Sequence, residues 1–150
     1  HRDLHSFPTR RSSDLLKRYE TLSVCTPSVH DTSTLRGWWE KEEGSTAFAE
    51  AYCPAILKSS AGSGLTPEAG LKLLATLSKA PSMLFVVQVQ DLLDTTTEYR
   101  SANPDDDRIN IPGTTSDFNW TWRMPVVVET LMAGTDWLQT LRTALAQTRS

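Results

Sequence analysis

The stretch "SMLFVVQVQDLL", residues 82–93, constrains this chain most, because it is apolar almost without a break through Val89. A strand with one wet face alternates apolar and polar side chains. A continuous run suits a strand buried on both faces, as in a parallel sheet. Gln88 and Gln90 mark its polar end. A second β-favouring run, "TLSVCT" at residues 21–26, is stopped by Pro27. Parallel partners need a long crossover, and the residues between the two runs have a helical pattern.

Thr32 or Ser33 is expected to cap a helix that places Leu35, Trp38 and Trp39 at helical spacing, with residues 40–43 facing water and Gly44 closing it. A short helical piece over residues 45–52 and the turn "KSSAGSG" follow. The clearest helix begins at the cap Thr66, with Pro67 in the first helical position and Glu68 at the positive end. Leu71, Leu74 and Leu77 form one face, and Pro81 ends the segment. A long irregular stretch covers residues 94–125; loops of that length are either functional or disordered, and Trp120 and Trp122 favour order. Thr135 can cap a last helix with a stripe of Leu138, Leu141 and Leu145. Strand, turn, helices, strand and loop together form the pattern of α/β units with parallel strands.

Composition excludes several function classes. A chain of 150 residues with 39% hydrophobic residues and a net charge of −3 has the length and apolar content of one domain. It carries no basic cluster for nucleic acid, and no apolar run approaches the roughly 20 residues that cross a membrane. A soluble, cytoplasmic protein is expected. Cys25 and Cys53 are too few for a disulfide scaffold and are expected as thiols. No metal site is expected, because His1 and His5 sit in a leader of suspect origin; no cofactor is implied either, since "AGSGLTPEAG" lacks the spacing and lysine of a phosphate loop. That leader, residues 1–15, has no periodicity, and "HSFPTRRSSDL" resembles the translation of a sequencing-adapter oligonucleotide. On this reading residues 16–150 are the protein proper, cut from a longer chain.

The chemistry-bearing residues are fewer. In a (β/α)8 barrel, functional side chains gather at the C-terminal ends of strands. His30 and Asp31 follow the first strand in this manner, and Gln90 and Asp91 follow the second. Without further information a His-Asp pair of this kind is an ordinary turn histidine beside a helix-capping aspartate.

Three blocks in order, "SVCTPSVHDTSTLRGWWE", "APSMLFVVQVQDLL" and "DRINIPGTTSDFNWTWRMP", resemble the C-terminal catalytic-barrel region of the 4-α-glucanotransferases, the amylomaltase family, glycoside hydrolase family 77. The first is most similar to the large multidomain branch. The resemblance implies an α/β fold made of the C-terminal β/α units of a (β/α)8 barrel, acting on maltooligosaccharides and α-1,4-glucans by retaining double displacement. It implies that Asp31 binds sugar hydroxyls at the cleavage subsite and helps distort the ring, and that His30 hydrogen-bonds neighbouring hydroxyls. Asn110 is the candidate for a further substrate hydrogen bond, with Arg108 structural and Pro112-Gly113 setting a turn. Trp120 and Trp122 either stack on sugar rings or pack as core, and the acidic "PDDD" run, residues 104–107, is expected to be solvated. The family's nucleophile and acid/base come from earlier strands, so this piece is expected to be inactive and, with strand edges unpaired, unstable in isolation. The alternative is a non-catalytic α/β module that binds glucan or a protein partner.

Overall fold

The computed structural model describes residues 16, 19–41 and 64–146. The leader, the expected helix at 45–52, most of the "KSSAGSG" turn and Cys53 lie outside them. Elements follow in the order β1 (Val24–Cys25), α1 (Leu35–Lys41), α2 (Pro67–Leu77), β2 (Leu84–Phe85), α3 (Val89–Leu93), a 3₁₀ turn (Pro104–Asp107), α4 (Val128–Ala133) and α5 (Thr135–Ala146).

The two strands pair in parallel, with Val24 opposite Leu84 and Cys25 opposite Phe85. Backbone bonds from Met83 to Thr21 at 2.7 Å and from Val86 to Cys25 at 3.0 Å extend the ladder beyond the strand ends. The expected parallel relation therefore holds, over a shorter length. Alternation along each strand sorts the side chains onto two faces. Cys25, Phe85 and Val87 face a core built mainly by α2, whose Leu73, Leu74 and Leu77 are buried. The Cys25 thiol donates to the Leu77 carbonyl at 3.6 Å.

The opposite face corrects the expectation of burial on both sides. Val24, Leu84 and Val86 remain 54%, 52% and 51% exposed, since among the described residues helices cover one face only. The apolar run is also shorter as a strand than its composition suggests. Val89 opens α3 with Gln88 as its cap residue, so "VQDLL" turns helical directly after the sheet and buries Gln90, Asp91 and Leu93.

Local signals placed α2 well. Thr66 Oγ1 accepts the Ala69 N–H at 3.2 Å, Pro67 stands where no N–H is needed, and Glu68 lies in the first turn. The helix ends at Leu77, four residues before Pro81, and its buried face includes Leu73 as well as Leu74 and Leu77, with Leu71 half-buried. Helix α5 begins at Thr135, which is its first residue and not its cap, packs against α2 and buries Leu141 of the expected stripe, with Leu138 and Leu145 half-buried. No described helix is long and apolar enough to cross a membrane.

Candidate functional site

The turn after β1 is built by short-range hydrogen bonds. Thr26 Oγ1 donates to the Ser28 carbonyl at 2.7 Å, the Val29 N–H donates to Thr32 Oγ1 at 3.0 Å, and the Thr32 N–H returns to the Val29 carbonyl at 2.9 Å. Thr32 thus closes the turn that carries His30 and Asp31, and does not cap α1. The cap is Thr34, whose Oγ1 accepts the Gly37 N–H at 3.2 Å.

Asp91 joins the ends of the two strands from beneath this turn. Its Oδ1 accepts the Leu35 N–H at 2.7 Å, its other oxygen accepts the Ser28 hydroxyl, and Gln88 Nε2 donates to Ser28 Oγ at 2.5 Å. The residues after β1 and β2 do meet, but Asp91 is buried and its bonds to Ser28 and Leu35 are structural. Beside it lies an open cleft of about 310 Å³ lined by Val24, Thr26, Ser28, Val86, Gln88 and His30.

His30 lines that cleft and Asp31 follows it, with side chains 52% and 42% exposed and His30 Nε2 at 3.4 Å from Asp31 Oδ2. Asn110 reaches them from the long loop. Its Nδ2 donates to Asp31 Oδ1 at 2.7 Å, and its backbone N–H donates to the His30 carbonyl at 3.1 Å. The three site residues named from sequence therefore form one cluster across 79 residues of chain. One Asp31 oxygen is oriented by the amide, and the carboxylate edge stays open to solvent.

The loop is ordered by its own turns. Thr114 N–H bonds the Ile111 carbonyl at 3.2 Å across Pro112-Gly113, and Gly113 takes φ +77°, the left-handed conformation that glycine alone adopts without steric cost. Asn119 ties the two limbs, accepting the Ile111 N–H at 3.1 Å and donating to the Thr114 carbonyl at 3.1 Å. Arg108 Nη1 donates to Ser33 Oγ at 3.3 Å. The tryptophan pair divides. Trp122 is half-buried and donates Nε1 to Asp107 Oδ1 at 3.2 Å, whereas Trp120 is 65% exposed and lies 5.2 Å from the His30 ring at an interplanar angle of 40°.

The acidic run departs from the solvated reading. Asp107 is buried and accepts from Ser101 Oγ at 2.8 Å as well as from Trp122. It faces Arg36, whose Nη2 lies 4.0 Å from Asp107 Oδ2 and whose Nη1 lies 3.1 Å from Asp94 Oδ1. Sequence reading missed Arg36 and Asp94. The detectable signal was an arginine flanked by Leu35 and Gly37 at the apolar start of α1. Lys41 pairs with Asp105 and closes the outer end of the same contact.

Burial decides the protonation of this cluster. Desolvation raises the Asp91 carboxyl from 3.8 to about 6 despite the lowering effect of its bonds from Ser28 and Leu35. Asp94 rises to about 7 for the same reason, outweighing Arg36, because the ion pair is close yet neither Asp94 oxygen gains a hydrogen bond among the described residues. Between these values and 3.8 the folded chain binds more protons than the unfolded one. Stability from these groups is full below about pH 4 and is lost as pH rises through 6 to 7. Denaturant midpoints are expected to fall between pH 5 and pH 8 by the equivalent of about 1–3 kcal/mol. Asp91→Asn, which keeps the acceptor for Leu35, should remove the part near pH 6; a flat profile for the parent chain would contradict the assignment.

Comparison with known proteins adds the family. The model of glycoside hydrolase family 77, described as 4-alpha-glucanotransferase, matches residues 4–129. The chain is 31% identical over 127 residues to the 4-alpha-glucanotransferase DPE2 of Oryza sativa subsp. japonica, covering 83% of this chain and 13% of that protein. It is 32% identical over 121 residues to a 4-alpha-glucanotransferase of Chlamydia muridarum and 33% identical over 115 residues to one of Chlamydia trachomatis. Those matches cover 77% and 76% of this chain, and 21% of each relative. The chain thus spans between 13% and 21% of the length of these relatives.

Proposed function

Because this chain belongs to the 4-alpha-glucanotransferases of glycoside hydrolase family 77, we propose that it supplies C-terminal β/α units of a (β/α)8 catalytic barrel and one side of that enzyme's sugar-binding cleft. The parent enzyme transfers α-1,4-glucan segments between maltooligosaccharides by a retaining double displacement. Asp31 is the residue at the cleavage subsite, where a carboxylate stabilises oxocarbenium-like charge and holds a distorted ring. His30 and Asn110 bond the neighbouring hydroxyls and hold the carboxylate in place.

The observation that carries this reading is the convergence of Asp31 and Asn110 on His30, which lines the cleft after the parallel strands. Retention needs a second pair of carboxyls, a nucleophile and an acid/base, about 5–5.5 Å apart. Among the described residues the buried carboxylates Asp91, Asp94 and Asp107 are already engaged, with Leu35 and Ser28, with Arg36, and with Ser101 and Trp122 respectively. On this reading, as the family resemblance implies, the nucleophile and the acid/base come from other parts of the enzyme, and the 150 residues by themselves are expected to transfer nothing. The exposed face of Val24, Leu84 and Val86 would then look into the barrel interior, covered by the remaining strands.

A full-length reading frame carrying these residues, incubated with maltotriose, is expected to yield glucose together with products longer than the substrate. The 150-residue chain alone should yield neither. Transfer by the short chain would overturn the placement of the nucleophile elsewhere, and glucose without longer products would replace transfer by hydrolysis.

A further inference from the structure

We propose that Trp120 is a stacking platform for a glucose ring next to the Asp31 cluster, and that it determines how strongly longer α-glucans are held. The inference rests on the glucan-binding reading above and adds a residue to it. An indole 65% exposed leaves a large apolar surface in water, and a tryptophan buried for packing would not do so. Its backbone is unusual as well. Trp120 has φ +66° and is the one described residue other than glycine with positive φ, a conformation that is sterically costly for a bulky side chain.

The surroundings hold it there. The Trp120 N–H donates to the Ile109 carbonyl at 2.7 Å, adjacent to Asn110, while Asn119 beside it is tied to both limbs of the loop. Trp122, two residues on, turns inward to Asp107 and anchors the segment. The alternation therefore half-buries one indole and displays the other. Strained backbone that the neighbouring bonds over-determine is common at ligand-binding positions. His30 lies against the displayed ring at 5.2 Å and links it to Asp31, so a sugar on the indole would continue a chain whose next ring meets the carboxylate. Pyranose rings present a face of C–H groups to such a surface while their hydroxyls stay in water.

The test titrates the full-length protein, and variants of it, with glucose, maltotriose and maltoheptaose, read before turnover redistributes the chains. Parent protein should bind maltoheptaose about tenfold more tightly than glucose, and Trp120→Ala should remove that gain while leaving glucose affinity at the Asp31 position within about twofold. Trp120→Asn suits the left-handed backbone and serves as the fold-safe variant, with the same expected loss. In the parent protein the Trp120 indole N–H resonance, assigned by its disappearance in that variant, should move on adding maltoheptaose. An unchanged length dependence in both variants, or an indole signal that stays still, overturns the platform. If maltoheptaose binds and Asp31→Ala weakens it but the Trp120 variants do not, only this inference fails. If the parent protein binds no maltooligosaccharide, the underlying reading of the cleft fails with it.

Discussion

Asp31→Asn is expected to lower kcat for glucan transfer by about 10²–10³-fold in the full-length protein, with a much smaller change in KM. The amide has the shape of the carboxylate and can still meet Asn110, so the cluster at 2.7 Å keeps its geometry after a side-chain flip. What disappears is the negative charge. On the proposed reading a neutral ground-state sugar loses only hydrogen-bond strength, whereas an oxocarbenium-like transition state loses its electrostatic partner. Because Asp31 is 42% exposed, thermal stability should move by no more than about 0.5 kcal/mol. A kcat within threefold of the parent enzyme would remove Asp31 from the chemistry, and a parallel collapse in stability would assign it a structural role.

The parts of the molecule that could be read in the sequence are those determined by short-range chemistry. Thr66 and Pro67 start α2 because a hydroxyl acceptor and a missing N–H are needed within one turn, and the Pro112-Gly113 turn follows from one fixed and one permissive φ. The cluster of Asp31, His30 and Asn110 was legible through motif resemblance, since nothing local joins residues 79 positions apart. Val89 was misplaced for a definite reason. A short apolar run has no period to separate strand from helix, and the switch to α3 depends on burying Gln90 and Asp91 under the turn after β1. The acidic run misled in the same way. Asp105 pairs with Lys41 at the surface as a polar loop would, but Asp107 is drawn inward by Arg36, Ser101 and Trp122.

Arg36→Met is expected to have the largest effect on stability, about 3–5 kcal/mol at pH 7, measured by chemical denaturation. The guanidinium is 2% exposed and stands between Asp94 and Asp107, with Asp91 contributing further repulsion to both. Removing it leaves buried carboxylates without a cation. With a total stability of about 5–15 kcal/mol for an ordinary domain, that loss is enough to unfold a marginal one. Asp94 then provides the internal check, since a carboxyl already raised to about 7 beside Arg36 should rise further without it. Lowering the pH to 5 therefore neutralises Asp94 and should restore part of the loss. Arg36→Met combined with Asp94→Leu should recover most of it at pH 7, because an apolar pair of similar volume replaces a buried ion pair at little cost. A single variant within 1 kcal/mol of the parent at pH 7 would show that the pair is not a structural centre. The consequence reaches the site: Arg36 on α1 is what the loop bearing Asp94 and Asp107 closes onto, and the same loop delivers Asn110 to Asp31. Loss of the buried cation should therefore reduce sugar binding along with stability, even though Arg36 touches no sugar.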